Sequence, residues 1–155
     1  MVVTNFPSDF GHRRYIMGYP TKGVAVAAEE NIALMRKGYE AFSQGDMDTV
    51  RGLFDPDIVW HSPGQSSISG DHTGADSVLA HFGKLATETA GTYRVEVVEM
   101  LSSDERVVVI QHSTAARKGK TIDEIHPVVW MLRDGRPYDV TVFHYDMGAH
   151  DDFWG

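Results

Sequence analysis

Apolar positions along this chain change their spacing once, near Gly91, and the change separates a helical half from a strand half. Upstream, Ile32, Met35, Tyr39 and Phe42 recur every three or four residues, which lays one apolar stripe along a helix from Glu29 to near Gly45. Asp46 then caps a second, short helix with Val50, Leu53 and Phe54 on its buried side. Asp55-Pro56-Asp57 stops that helix before a strand over 58–62. A Gly/Ser/Pro loop over 62–70 leads to a third helix near Ala75, where Val78, Leu79, Phe82, Leu85 and Ala86 share one face. Downstream the period is two, in runs over 93–101, 106–116, 121–132 and 139–147. The breaks between these runs are polar, and Gly119 and Gly135 can take positive φ, so consecutive strands are expected to pair antiparallel. Pro127 has no N–H to give to a ladder and marks a bulge, an edge or a bend. Helices first and a meander afterwards predict an α+β domain, with helices on one face of a curved antiparallel sheet.

The first residues obey neither period. Residues 1–23 are therefore set apart as an N-terminal arm, and residues 24–155 as a single domain. Phe6, Phe10, Tyr15, Ile16 and Tyr19 allow the arm to pack on the domain or on a partner subunit; a disordered leader is the other reading. At 155 residues, 42% of them hydrophobic, the chain suits one core rather than two. No run approaches the roughly 18 apolar residues of a membrane span, and the start lacks the basic-then-apolar order of an export leader. The expectation is no membrane partner and a cytoplasmic location. A net charge of -8 without any basic cluster disfavours nucleic acid as a partner. With no cysteine, thiolate nucleophiles and zinc-thiolate or iron-sulfur sites are excluded.

Histidine carries the chemistry that remains, with 8 in the chain. Strand alternation sets His112 beside Val108 and Ile110, His126 beside Val128 and Trp130, and His144 and Asp146 beside Val140 and Val142; His61 follows Trp60 on the short strand. A desolvated imidazole near a carboxylate is a natural general acid/base, because burial lowers its pKa while the carboxylate raises it and fixes the tautomer. His144, Asp146, His126 and His112 are the candidate catalytic residues. Each taken singly also reads as a core histidine satisfied by backbone or water. Tyr39, Trp60, His61 and Trp130 are the candidate substrate-binding residues, aromatics that would otherwise simply fill a core. His144, Asp146, His150, Asp151 and Asp152 are rich in metal-ligand types, but their spacing matches no zinc motif and a solvated acidic tail accounts for them. No metal and no cofactor are expected. Phe153 and Trp154, at an acidic end, should cover either the sheet's concave side or a second subunit.

Four features resemble a known superfamily: Tyr39-Glu40-Ala41-Phe42-Ser43-Gln44-Gly45-Asp46, the stretch Leu53-Phe54-Asp55-Pro56-Asp57-Ile58-Val59-Trp60-His61, Gly70 with Gly74 before an apolar helix, and Asp134-Gly135-Arg136 before the last strand. They look like the SnoaL-like branch of the nuclear transport factor 2-like superfamily. The resemblance implies a cone-shaped roll of three N-terminal helices on a strongly bent, mainly antiparallel sheet, with a deep apolar pocket between and usually a homodimer through the sheet. Its activities range from ketosteroid isomerases and polyketide cyclases to epoxide hydrolases, dehydratases and non-catalytic binders, and fold does not choose among them. The isomerases' base on the first strand has no counterpart in Trp60-His61-Ser62-Pro63, their helix-1 tyrosine falls nearer Gly38 than Tyr39, and the Arg-Asp-Asp trio of the epoxide hydrolases is not recognisable. Asp146 is the carboxylate nearest to the last-strand Asp of the cyclases. The leading expectation is a cofactor-independent acid/base enzyme acting on a small, largely apolar metabolite, of isomerase, cyclase, dehydratase or hydrolase type. The alternatives are a non-catalytic binding or assembly module and a structural dimer with a filled pocket. An enclosed cavity of roughly 300 Å³ or more would favour the first two.

Overall fold

A computed structural model describes residues 22–155, with side chains from position 27 onward. The predicted arm, up to residue 21, lies outside the described residues. Helix α1 (Lys22–Gln44) starts earlier than the stripe from Glu29 suggests. The Ala-rich stretch ahead of that stripe has high helix propensity and needs no apolar period to continue the helix. The chain leaves α1 at Gly45, which takes φ 74, and the amide of Asp46 closes back on the Ala41 carbonyl at 2.9 Å. Asp46 caps α2 (Met47–Leu53), as expected, by accepting from the Thr49 amide at 3.0 Å.

Strand β1 (Val59–Ser62) is followed within the predicted loop by β2 (Gly70–Thr73), a short edge strand that the sequence pattern does not show. Helix α3 (Ala75–Glu88) precedes the meander of β3 (Arg94–Ser102), β4 (Arg106–Arg117), β5 (Lys120–Arg133) and β6 (Arg136–Val142). Together they form one six-stranded sheet in the order β2-β1-β6-β5-β4-β3, antiparallel throughout except for the parallel β1/β6 pair. Lys118-Gly119 and Asp134-Gly135 make the tight turns on either side of β5, all four residues at positive φ, as two-residue hairpins require. Bulges at Val97/Glu99 and Met131/Leu132 add local bend to the sheet.

Pro127 produces no bulge. It pairs in register with Ile110 of β4, and its consequence lies on the other side, where the β5/β6 ladder ends. The Phe143 amide donates to the Pro127 carbonyl at 3.1 Å, but the reciprocal bond is impossible because proline has no N–H. The chain therefore peels away after Val142 instead of continuing as strand to 147, and enters a fourth helix, α4 (Met147–Trp154), absent from the expected elements.

The main core lies between the sheet's inner face and the helices, built on Met35, Val50, Ile58, Val78, Val109 and Trp130. A second cluster joins Phe153 and Trp154 to Ile68, Leu85 and Ala115. The two aromatic residues of the tail thus cover one end of the sheet's concave side, with Trp154 only 1% exposed. Among the described residues no helix is long and apolar enough to cross a membrane.

Candidate functional site

Between the two apolar clusters the inner face of the sheet changes character. On β4 the inward residues run Val107, Val109, Gln111, Ser113, Ala115, and on β5 they run Glu124, His126, Val128, Trp130. The pairing Gln111↔His126 and Ser113↔Glu124 sets four polar side chains in one patch, and the segment after β6 adds His144. Helix α4 closes over this patch with His150, whose ring stacks on His144 with centroids 3.6 Å apart.

Toward the helices the patch meets a cavity of about 70 Å³ walled by Tyr39, Phe42, Phe54, Trp60, Trp130 and other apolar side chains, with Gln111 and Tyr93 at its polar end. The volume is well below the roughly 300 Å³ that would favour an enzyme or a binder, and by that criterion it leans toward the structural dimer with a filled pocket. A wider open groove of about 450 Å³ lies along α1 and β3 and shares Tyr39 and Val95 with the cavity. The Tyr39 hydroxyl donates to Gln111 Oε1 at 2.8 Å. The Gln111 amide in turn reaches Ser113 Oγ at 3.3 Å and His126 Nε2 at 3.2 Å, and Ser113 Oγ lies 2.9 Å from that same nitrogen. His126 Nδ1 faces the Phe143 carbonyl at 3.1 Å, an oxygen that only accepts, so the proton of the neutral ring sits on Nδ1 and the lone pair on Nε2.

Burial sets the protonation of this patch. It pushes the His126 imidazole down to about 4, against the upward pull of the Glu124 charge. Burial also pushes Glu124 up, but the His144 hydrogen bond and the neighbouring His150 imidazole outweigh it and hold the carboxyl at about 2. Glu124 Oε1 lies 2.8 Å from His144 Nδ1 and 3.6 Å from His150 Nδ1. The phenols of Tyr39 and Tyr93 are raised above their ordinary range, chiefly by desolvation, and Ser113 hydrogen bonding partly offsets this for Tyr93. The indole Nε1 donors of Trp60 and Trp130 are buried without a hydrogen-bond partner among the described residues.

The predicted site residues divide. Tyr39, Trp60 and Trp130 line the cavity. His126 and His144 stand together behind it, their rings 4.9 Å apart. His112 does not join them: it lies on the outer face of β4, paired with Asp123 at 2.7 Å. Both faces of Val107-Val108-Val109-Ile110 are apolar, so alternation alone cannot choose between them, and the odd-numbered set is the buried one. His61 likewise points away from Trp60 on the alternating strand β1, and is held between Asp71 at 2.7 Å and Asp139 at 3.0 Å, whose hydrogen bonds raise its pKa. Asp146 is exposed and acts as the N-cap of α4, accepting from the Ala149 amide at 2.9 Å. It is no part of the cavity wall, because the strand expected to aim it inward ends at Val142. Of the acidic tail, Asp151 accepts from the Gln65 amide and Asp152 pairs with Lys120. Gln111, Ser113, Glu124 and Tyr93 are site residues that the sequence pattern does not single out, and His150, noted there only for its ligand type, is a fifth.

The residue pattern of the SnoaL-like domain family matches over residues 35–144, more than half of the chain. An uncharacterized protein of Mycobacterium tuberculosis is 29% identical over 127 residues, 81% of this chain and 97% of that protein. Among solved structures, Bal32a, from a soil-derived mobile gene cassette, superposes with a TM-score of 0.80 at 42% identity, covering 83% of this chain and 99% of its own. A putative SnoaL-like polyketide cyclase from Jannaschia superposes with a TM-score of 0.62 over 81% of this chain and 90% of that one; at 18% identity it is a likeness of fold alone.

Proposed function

The chain belongs to the SnoaL-like family of the nuclear transport factor 2-like superfamily, and from that premise we propose that its cone takes up a small, largely apolar metabolite bearing an acceptor oxygen and transfers protons on it. One observation carries the reading. The cavity is apolar, and the buried polar atoms of its wall that lack a partner among the described residues are both donors, Nε1 of Trp60 and Nε1 of Trp130. A carbonyl oxygen seated there would accept from them, and the Tyr39 hydroxyl would stabilise charge that develops on the oxygen by turning to it from Gln111. The lone pair of His126 Nε2 stands one hydrogen bond behind the wall. Gln111, which lines the cavity, and Ser113 both contact that nitrogen, so a proton leaving carbon next to the carbonyl would reach Nε2 through a water bridging the polar end of the cavity. That chemistry is common to isomerases, cyclases and dehydratases. The inner volume holds only the reacting end of such a molecule, and the groove along α1 and β3 takes the remainder past Tyr39 and Val95.

A non-catalytic binder is the second reading, favoured by the absence of any carboxylate or histidine among the described residues of the cavity wall. The two separate in heavy water with 2-cyclohexenone and its alkylated analogues as probes. Proton transfer predicts deuterium entering the carbon next to the carbonyl, slowed by about 10² in His126→Gln. Binding that Trp130→Phe weakens, with no deuterium uptake in the wild type, supports the binder and removes the enzyme. The outer sheet face supports pairing of two copies: Ile125 and Phe143 project from it 62% and 48% exposed. Light scattering on Ile125→Lys should then report a monomer where the wild type is a dimer.

A further inference from the structure

His150 is unusual among the buried groups of this molecule. It is 5% exposed, and neither ring nitrogen has a hydrogen-bond partner among the described residues. Its ring nevertheless has a definite position, stacked on His144 at an interplanar angle of 26°. Both rings present Nδ1 to one oxygen, Glu124 Oε1, at 2.8 Å for His144 and 3.6 Å for His150. A single proton on His144 Nδ1 makes one good bond to that oxygen and leaves His150 beyond bonding range. A cation between them would satisfy both rings and the carboxylate at once.

We propose that Glu124, His144 and His150 form a binding site for a divalent transition-metal ion, Zn²⁺ foremost, that fastens α4 to the sheet. The three side chains offer ligand atoms all within 4.8 Å of one another, and they come from separate parts of the fold: β5, the segment after β6, and α4. Zinc bonds of about 2.1 Å in tetrahedral geometry set neighbouring ligand atoms roughly 3.4 Å apart. The present carboxylate-to-imidazole separations of 2.8 and 3.6 Å bracket that value, but the two rings, now stacked with centroids 3.6 Å apart, must unstack and turn toward each other before both Nδ1 lone pairs point at one ion. Two imidazoles and one carboxylate suit Zn²⁺, Fe²⁺ or Co²⁺; Mg²⁺ and Ca²⁺ favour oxygen ligands. His126 stays outside the set, because its Nε2 is engaged by Ser113 and Gln111 and lies 3.9 Å from the Glu124 oxygen. The ion therefore sits behind the cavity and organises α4, independently of the chemistry proposed for the cone. Of the ligand-rich residues near the C-terminus, His144 and His150 join the set, and the carboxylate comes from Glu124 on β5 instead of Asp146, Asp151 or Asp152.

The test uses the full chain, freed of metal with a chelator and titrated with Co²⁺ as a spectroscopic probe, then with Zn²⁺ in a calorimeter. One equivalent should bind, giving visible Co²⁺ absorption that Zn²⁺ abolishes. Exchange of the α4 amides should slow when Zn²⁺ is added. His150→Phe and Glu124→Gln should each weaken binding by more than the roughly 100-fold that loss of an outer-shell partner costs, while His112→Ala and His61→Ala should bind as the wild type does. If either of the first two variants fails to fold, His150→Gln takes its place. No stoichiometric binding at micromolar metal, binding unchanged by the Glu124 and His150 variants, or bound metal without slower exchange in α4 would each overturn the proposal.

Discussion

The two faces of the sheet carry the same residue types and put them to different use. Outside, His112 pairs with Asp123, and His61 pairs with Asp71 and Asp139, all in contact with solvent. Inside, His126, His144 and His150 gather around Glu124 under α4, with the His126 and His144 side chains 2% and 4% exposed. An exposed pair gains little, because water screens the charges and the side chains lose freedom to hold one geometry. Buried, Glu124 and His126 shift their proton affinities, the His126 ring is held in one tautomer and the His150 ring is left without partners among the described residues. Burial, and not the presence of a histidine beside a carboxylate, separates a candidate site from a decorated surface.

The largest test of this contrast removes one carboxylate from each face. In chelator-treated protein, Glu124→Gln should cost about 2 kcal/mol in urea unfolding, since His144 loses the charged acceptor of a buried hydrogen bond. Asp123→Asn should stay within about 0.5 kcal/mol. Equal losses would mean that the inner cluster is as solvated as the outer one.

A pH series sharpens the contrast through opposite signs. His81 on α3 is buried against Trp60 and stacked on His72 at 4.1 Å, and burial lowers its pKa to about 3, with the His72 and Lys84 charges adding to the effect. The unfolded chain takes up that proton near 6.5 and the folded chain refuses it until about 3. Stability should therefore fall as pH drops through this window, by about 1.4 kcal/mol per unit well below 6.5. His81→Phe should flatten the fall, measured as the difference between unfolding free energies at pH 7 and pH 5. The smallest effect belongs to His61, whose pKa is raised by Asp71 and then Asp139. Its contribution is present below 6.5 and lost as pH rises through the folded value, and solvent exposure limits it to a few tenths of a kcal/mol. An Asp71→Asn change that leaves the His61 titration, followed by NMR, unmoved would sink that assignment.

Much of the architecture was legible in the spacing of apolar residues, and the outcome at each site residue had a local physical cause. Lys118-Gly119 is a two-residue turn, and such a turn sets Gln111, not His112, opposite His126. The information that His112 faces outward was thus present in the hairpin, although the alternation of an all-apolar run hid it. Asp146 could have been recognised as a helix cap, since Met147 to Trp154 is long enough for two turns. Aromatic and small residues there read equally well as strand or tail until packing on Leu85 and Ala115 decides. The cluster around Glu124 was beyond reach, because it depends on α4 folding back over β5, a contact between segments whose sequences carry no shared period. The cavity's modest volume likewise follows from how Trp60, Trp130 and Phe82 interlock edge to face, which composition does not reveal.

Pro127 works by subtraction. Any other residue at this position would offer an amide to the Phe143 carbonyl, and that oxygen would then have two suitors. By withholding its own donor, the proline leaves the oxygen to the neighbouring imidazole and decides which side of that ring carries hydrogen. A substitution that looks favourable for a β-strand would extend the ladder by one rung and loosen the grip on a tautomer, trading a choice of proton for a little more sheet.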